Sequence, residues 1–217
     1  MKYQRLHRKS EKGFTIIELT VVMLIFSIIG AALQSLINLS NVTVRTYDLR
    51  TRISSDGLQV LRTIARELGQ TSYTSDRLVI TTSGGNGDVK FQIPVDYDDD
   101  GDVVASNMTK SIEWGAYDNA EETQKGLYGN NPLNRWVRYY VENGQLKRGV
   151  LDSMGTQISN LTKVVGNDVQ SFTVAQNTTS VTLSANISVT DVAGQSGVPR
   201  TQQGTFNLRI DLNNAPT

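Results

Sequence analysis

From Leu19 to Leu33 the chain carries no charged side chain, and apolar character persists through Leu36 and Ile37. About 20 such residues, at a rise of ~1.5 Å each, span the ~30 Å hydrocarbon core of a bilayer, so the stretch predicts one membrane-crossing helix. Its flank is strongly basic. Met1 to Gly13 holds Lys2, Arg5, Arg8, Lys9 and Lys12 against Glu11 alone, a net of +4, and the remainder holds 16 basic and 20 acidic side chains. Such a flank favours a cytoplasmic N-terminus. An ordinary secretory signal is cut after its apolar run, at small residues. Here the small residue, Gly13, precedes the run, and a cut there would leave the helix on the product.

The rest of the composition removes several function classes. The 217 residues allow one modest domain plus a long helix, or at most two small domains. With no cysteine, neither a disulfide framework nor thiolate chemistry is available, which is compatible with an oxidising compartment. The sole histidine, His7, lies before Gly13. A product beginning at Phe14 would have no imidazole, which excludes a Ser-His-Asp triad and histidine-ligated zinc. No spacing of carboxylates, lysines or tyrosines suggests a catalytic set, so the expectation is a protein that is not an enzyme. Nor does the mildly acidic product have a general pull toward nucleic acid.

Beyond Ser40, Leu49, Ile53, Val60, Leu61, Ile64 and Leu68 recur at three- or four-residue steps among polar residues, the pattern of an amphipathic helix. Asp48 and Arg52 are spaced to pair along it. Ser54-Ser55-Asp56-Gly57 marks a point where the helix could kink, with Asp56 and Gln59 able to cap a fresh start, and Gly69 is a stop. After Gly69 come short alternating runs. Leu78–Thr81 and Val89–Ile93 read as strands around a Ser83–Gly87 turn, and Trp136–Glu142 with Gln145–Leu151 as a hairpin whose Asn143-Gly144 suits a type I′ turn. Val169–Ala175, Thr179–Val189 and Thr205–Leu212 are three further candidates. The expected class is α+β: a long N-terminal helix packed on a C-terminal antiparallel β-sheet domain. The boundaries are 1–13 for a leader, 14–37 for the membrane helix, 38–69 for its amphipathic continuation and 70–217 for the β-rich domain.

The junction Gly13-Phe14-Thr15-Ile16-Ile17-Glu18, followed by the apolar run, resembles the class III leader of type IV prepilins and pseudopilins. The resemblance implies cleavage between Gly13 and Phe14 by a membrane prepilin peptidase, N-methylation of Phe14, and packing of the helices in a filament core. Glycine fits an extended path through a narrow cleft. Glu18 is costly within an apolar helix, and cleavage would create a partner, the Phe14 ammonium. Between staggered neighbours that pair would set axial register. Many major pilins have a proline about twenty residues into the mature helix, where this chain has Ser35. That departure leans toward a minor subunit. So does Trp136–Arg148, which resembles the central hairpin of J-type minor pseudopilins of type II secretion and of W-type minor pilins. Implied partners are other pilins, the peptidase, an inner-membrane assembly platform and lipid before assembly. The implied location is the bacterial inner membrane, leader cytoplasmic and C-terminal domain periplasmic or extracellular, then the filament. The leading expectation is a minor pilin or pseudopilin that helps initiate or cap a filament; the alternative is a tip protein that binds a surface or incoming DNA.

Two further features carry expectations. Asp96-Tyr97-Asp98-Asp99-Asp100-Gly101-Asp102 has the front half of a calcium loop, with carboxylates at positions one, three and five and glycine at six. Position twelve is Asn107 rather than glutamate, so another ligand would have to close it. Calcium held by Asp96, Asp98, Asp100 and Asp102 is the expectation, against a solvated acidic loop. In the 136–151 hairpin, Trp136, Arg138, Tyr140 and Lys147 share one face, and Val137, Tyr139, Val141, Leu146 and Val150 the other. The second set reads as core. The first is an aromatic and basic strip that packs against a neighbour more often than it holds nucleic acid.

Overall fold

In the helix the spacing of apolar residues changes once, and so does what they touch. The computed structural model describes residue 13 and residues 15–72, 76–97, 100–105, 111–118, 132–177, 179–191 and 200–212. Helix α1 spans Ile16–Leu68, and the chain divides into two units, Met1–Asp48 and Leu49–Thr217. In the first unit α1 is long and apolar enough to cross a membrane, and none of that apolar window is buried. Its polar side chains bond their own helix. Ser27 Oγ donates to the Met23 carbonyl (2.8 Å), Ser35 Oγ to Ala31 (3.0 Å) and Thr43 Oγ1 to Leu39 (2.9 Å). Hydroxyls satisfied this way can face hydrocarbon at little cost.

In the second unit α1 buries Ile53, Gly57, Val60, Leu61, Ile64, Glu67 and Leu68, a single stripe. The Ser54–Gly57 segment does not break the helix. Gly57 is needed for space, because a Cβ there would come within 2.4 Å of the Phe206 ring. Arg52 pairs along the helix with Asp56, at 3.8 Å.

The strands are β1 (Leu78–Ser83), β2 (Asn86–Phe91), β3 (Ile93–Pro94), β4 (Trp114–Gly115), β5 (Trp136–Glu142), β6 (Gln145–Leu151), β7 (Lys163–Gly166), β8 (Val169–Gln176), β9 (Ser180–Asp191) and β10 (Arg200–Asp211). All pairings between them are antiparallel. The expected antiparallel β-sheet domain consists of a five-stranded sheet ordered β1-β2-β5-β6-β7, a three-stranded sheet ordered β10-β9-β8, and the pair β3-β4. The β5–β6 hairpin has the expected limits, and its Asn143 (φ 53°) and Gly144 (φ 72°) supply the left-handed turn. β10 begins five residues before its expected start, because it pairs with β9 over all twelve of its residues. Its early part, Arg200-Thr201-Gln202-Gln203-Gly204, has no apolar alternation to read. β3, β4 and β7 are too short to show a period and were not expected.

Register builds the core row by row. Phe91 lies opposite Val137 and Val137 opposite Val150; Val89 lies opposite Tyr139 and Tyr139 opposite Arg148. Phe91 and Tyr139 also stack, with ring centroids 6.1 Å apart. This inward face joins the helix stripe and Phe172, Leu183, Ala185 and Ile187 of the other sheet in one cluster.

Candidate functional site

The site implied by the leader begins where the helix begins. Ile16 is the first helical residue, which makes Thr15 the N-cap and Glu18 the third residue of the first turn. The two are joined reciprocally. The Thr15 N–H and hydroxyl donate to Glu18 Oε2, at 2.8 and 3.0 Å, and the Glu18 N–H donates to Thr15 Oγ1, at 3.3 Å. That is a capping box, and it answers the question of how a carboxylate is tolerated at the head of an apolar helix. Its charge also faces the positive end of the helix dipole. Gly13 is exposed, and nothing lies within 4 Å of the position a Cβ would take. Phe14, the other half of the expected cleavage site, lies outside the described residues, as do residues 1–12.

From Ile16 to Val44 every side chain is exposed, including Ile16, Ile17, Leu24, Phe26 and Ile28. An apolar surface of this extent is held in lipid or against other protein.

The hairpin strip holds no free charge. Arg138 binds Asp88 through Nε (3.0 and 3.1 Å) and Nη2 (2.6 Å), and its guanidinium lies 4.2 Å from the centroid of the Tyr140 ring. Those hydrogen bonds raise the Arg138 pKa against partial burial. Gln157 links Arg138 to the Tyr140 hydroxyl and to Thr162. Lys147 Nζ donates to Glu142 Oε2 at 2.6 Å, which raises the lysine pKa and lowers that of the glutamate. Both cations of the expected strip are thus neutralised within the domain.

Sequence reasoning missed a buried ionic cluster on the opposite face. Arg148 contacts Glu67 through Nε (3.1 and 3.0 Å) and Nη2 (2.9 Å), and the Tyr139 hydroxyl donates to Glu67 Oε2 at 2.5 Å. Two further guanidinium bonds reach the carbonyls of Asp118 and Tyr117, at 3.1 and 2.9 Å. Burial raises the Tyr139 pKa well above its ordinary value, and the Glu67 charge adds to the rise. For Arg148, burial works against the charge, but Glu67 outweighs it and the pKa is raised. The signal was present: Glu67 sits on the helix stripe between Ile64 and Leu68, and Arg148 shares the strand phase of Leu146 and Val150.

Of the expected calcium residues, Asp96 is buried while Asp100 and Asp102 are exposed, and Asp98 lies outside the described residues. Among the described residues no three metal-ligating side chains converge.

Residues 8–33 match the family model described as the prokaryotic N-terminal methylation motif. With the long apolar helix and the antiparallel β-domain, this places the chain with the type IV pilins and pseudopilins, as a protein that carries a class III leader. The matched segment is the end of the leader and the first part of α1; the β-domain lies outside it. No curated protein and no solved structure matches the chain.

Proposed function

We propose that the chain is a minor pilin or pseudopilin of a type IV pilus or type II secretion filament, a structural subunit that helps initiate or cap the filament. The observation that carries this reading is the start of α1. A capped Thr15/Glu18 turn follows the matched leader directly and opens an apolar surface that is exposed among the described residues. Cleavage between Gly13 and Phe14 leaves that surface on the product. Lipid of the inner membrane covers it first, with the leader cytoplasmic and the β-domain on the far side, and the helices of other subunits cover it after assembly.

Cleavage also places a new cation, the methylated Phe14 ammonium, four residues from Glu18. In the uncleaved chain Glu18 is occupied by Thr15. After the cut it can accept the ammonium of a staggered neighbour, which fixes the axial step between subunits. Ser35 in place of a proline, and the likeness of the β5–β6 hairpin to those of minor subunits, support the minor role. Pairing of Arg138 and Lys147 within the domain favours packing over capture of an anionic ligand.

Deletion of the gene, read by the filaments sheared from cells, tests the reading. Loss of filaments, restored by the wild-type chain, is expected. Glu18→Ala should be inserted and cleaved yet enter filaments poorly. Intact filaments that have lost adhesion or DNA uptake would overturn this reading in favour of a ligand-binding tip protein.

A further inference from the structure

Each of the two larger sheets ends in two edge strands, β1 and β7 in one and β8 and β10 in the other. An edge strand offers a row of backbone donors and acceptors to any extended chain that meets it, and most edges carry a feature that blunts this. β1 is six residues long and β7 four, and the ladder of β7 with β6 shifts register. β8 also has a register shift, and its Phe172 N–H donates to Asn86 Oδ1 at 3.1 Å. β10 has none of these features. It runs for twelve residues in one unbroken register with β9, and residues 201–208 hold neither a charge nor a proline. The charges that follow, on Arg209 and Asp211, lie 3.4 Å apart and offset each other.

The hydrogen-bond phase of β10 shows what its outer side presents. Leu212, one step beyond the ladder in the same register, donates its N–H to the carbonyl of Thr179 directly opposite, at 2.9 Å. In an antiparallel pair such bonded positions alternate with unbonded ones, so the even-numbered residues of β10 bond β9. The 2.9 Å approach of the Thr190 and Thr201 hydroxyls fits the same phase, since side chains come closer at an unbonded pair. Thr201, Gln203, Thr205, Asn207, Arg209 and Asp211 therefore turn both N–H and C=O away from β9, and all of them are exposed. Among the described residues no strand pairs with that side. The core beneath it is also incompletely covered. Leu183 and Ala185 of β9 are fully buried, whereas Leu208 and Phe206, opposite them on β10, are only partly buried.

We propose that β10 is a docking edge, which takes an extended strand from a neighbouring subunit of the filament. The chemistry of the edge defines that strand. It supplies backbone groups to continue the ladder, apolar side chains at alternate positions to cover Phe206 and Leu208, and uncharged polar ones between them, beside Thr205 and Asn207. A charged strand would set its charges against residues 201–208, which hold none to pair with them. The proposal rests on the filament-subunit reading above and adds a contact made by the β-domain to those made by the apolar helix.

Thr205→Pro removes an N–H that β9 does not use, whereas Phe206→Pro removes one that it does. In the full-length chain in detergent, the first should leave the melting temperature near that of the wild type and the second should lower it sharply. In cells, Thr205→Pro should reduce the chain recovered in sheared filaments by at least about tenfold. Gln203→Lys combined with Asn207→Lys puts charge on the edge without touching the backbone and should do the same. If Thr205→Pro folds poorly, the lysine pair decides. A photo-crosslinking amino acid in place of Asn207 should give an adduct with another filament subunit, identified by mass spectrometry. Entry of the edge variants into filaments at the wild-type level would overturn the proposal, and so would adducts only with a second copy of this chain. Either result leaves the subunit reading standing, whereas absence of the unaltered chain from filaments would overturn that reading and the proposal with it.

Discussion

Two parts of α1, before and after Leu49, use the same backbone for opposite ends. In the first, Leu24 is 62% exposed and Phe26 69%, while in the second Leu61 is 1% exposed and Ile64 fully buried. Each part is apolar, but among the described residues only the second is buried. The difference shows that hydrophobicity alone does not define a core. The second part is amphipathic and meets two sheets, whereas the first is apolar all round and exposed among the described residues, a surface suited to a membrane or to other subunits. Glycine marks the contrast at single positions. Nothing lies within 4 Å of a Cβ built on Gly30, whereas one on Gly57 would strike Phe206.

The sharpest way to break this comparison is to attack the ionic cluster that holds the second part of the helix to the sheet. Arg148→Ala strands the Glu67 carboxylate in the core and should cost about 3–5 kcal/mol in urea unfolding of the detergent-solubilised chain. A double substitution, Glu67→Leu with Arg148→Met, should recover most of that loss, because apolar side chains of similar volume need no counter-charge. If the double variant is as unstable as the single one, the cluster contributes more than compensated charge.

The glycines give a smaller and cleaner contrast. Gly57→Ala should destabilise the domain by about 1–3 kcal/mol, through overpacking against Phe206. Gly30→Ala should change the same transition by less than about 0.5 kcal/mol. Similar effects at the two sites would remove the distinction between the parts.

The smallest effect is at alkaline pH. The folded-state pKa of Tyr139 is raised by burial first and by Glu67 second, and that of Tyr117 is raised mainly by burial. Above pH ~10 the unfolded chain loses tyrosine protons that the folded chain keeps. The folded state then binds more protons, so stability is present in full below about pH 10 and falls as pH rises toward the raised folded values. Tyr139→Phe should make that decline shallower, in unfolding midpoints measured from pH 9 to 11.5. An unchanged slope would place the titration elsewhere.

Much of this architecture was legible in the residues. The apolar run, the Ile53–Leu68 stripe and the Asn143-Gly144 hairpin follow from local pattern and turn chemistry alone. What was not legible depended on partners distant in sequence. Glu67 meets an arginine 81 residues away, and Gly57 looked like a helix break because Phe206 could not be foreseen above it. β10 gained its first residues from the ladder with β9 rather than from its own composition. At the candidate site, Glu18 was read as a carboxylate awaiting a partner. The capping residue, Thr15, stood three positions away, and Thr-x-x-Glu before an apolar run is a signal that could have been read.

The central claim is that the exposed first part of α1 is released for assembly by a cut at its leader. The intact mass of the chain extracted from membranes of cells with an active prepilin peptidase tests it most directly. The account predicts a product that begins at Phe14 and carries one added methyl group, and a Gly13 substitution by a larger residue should leave the precursor uncut. A chain from such cells that still begins at Met1 or Lys2 would contradict it.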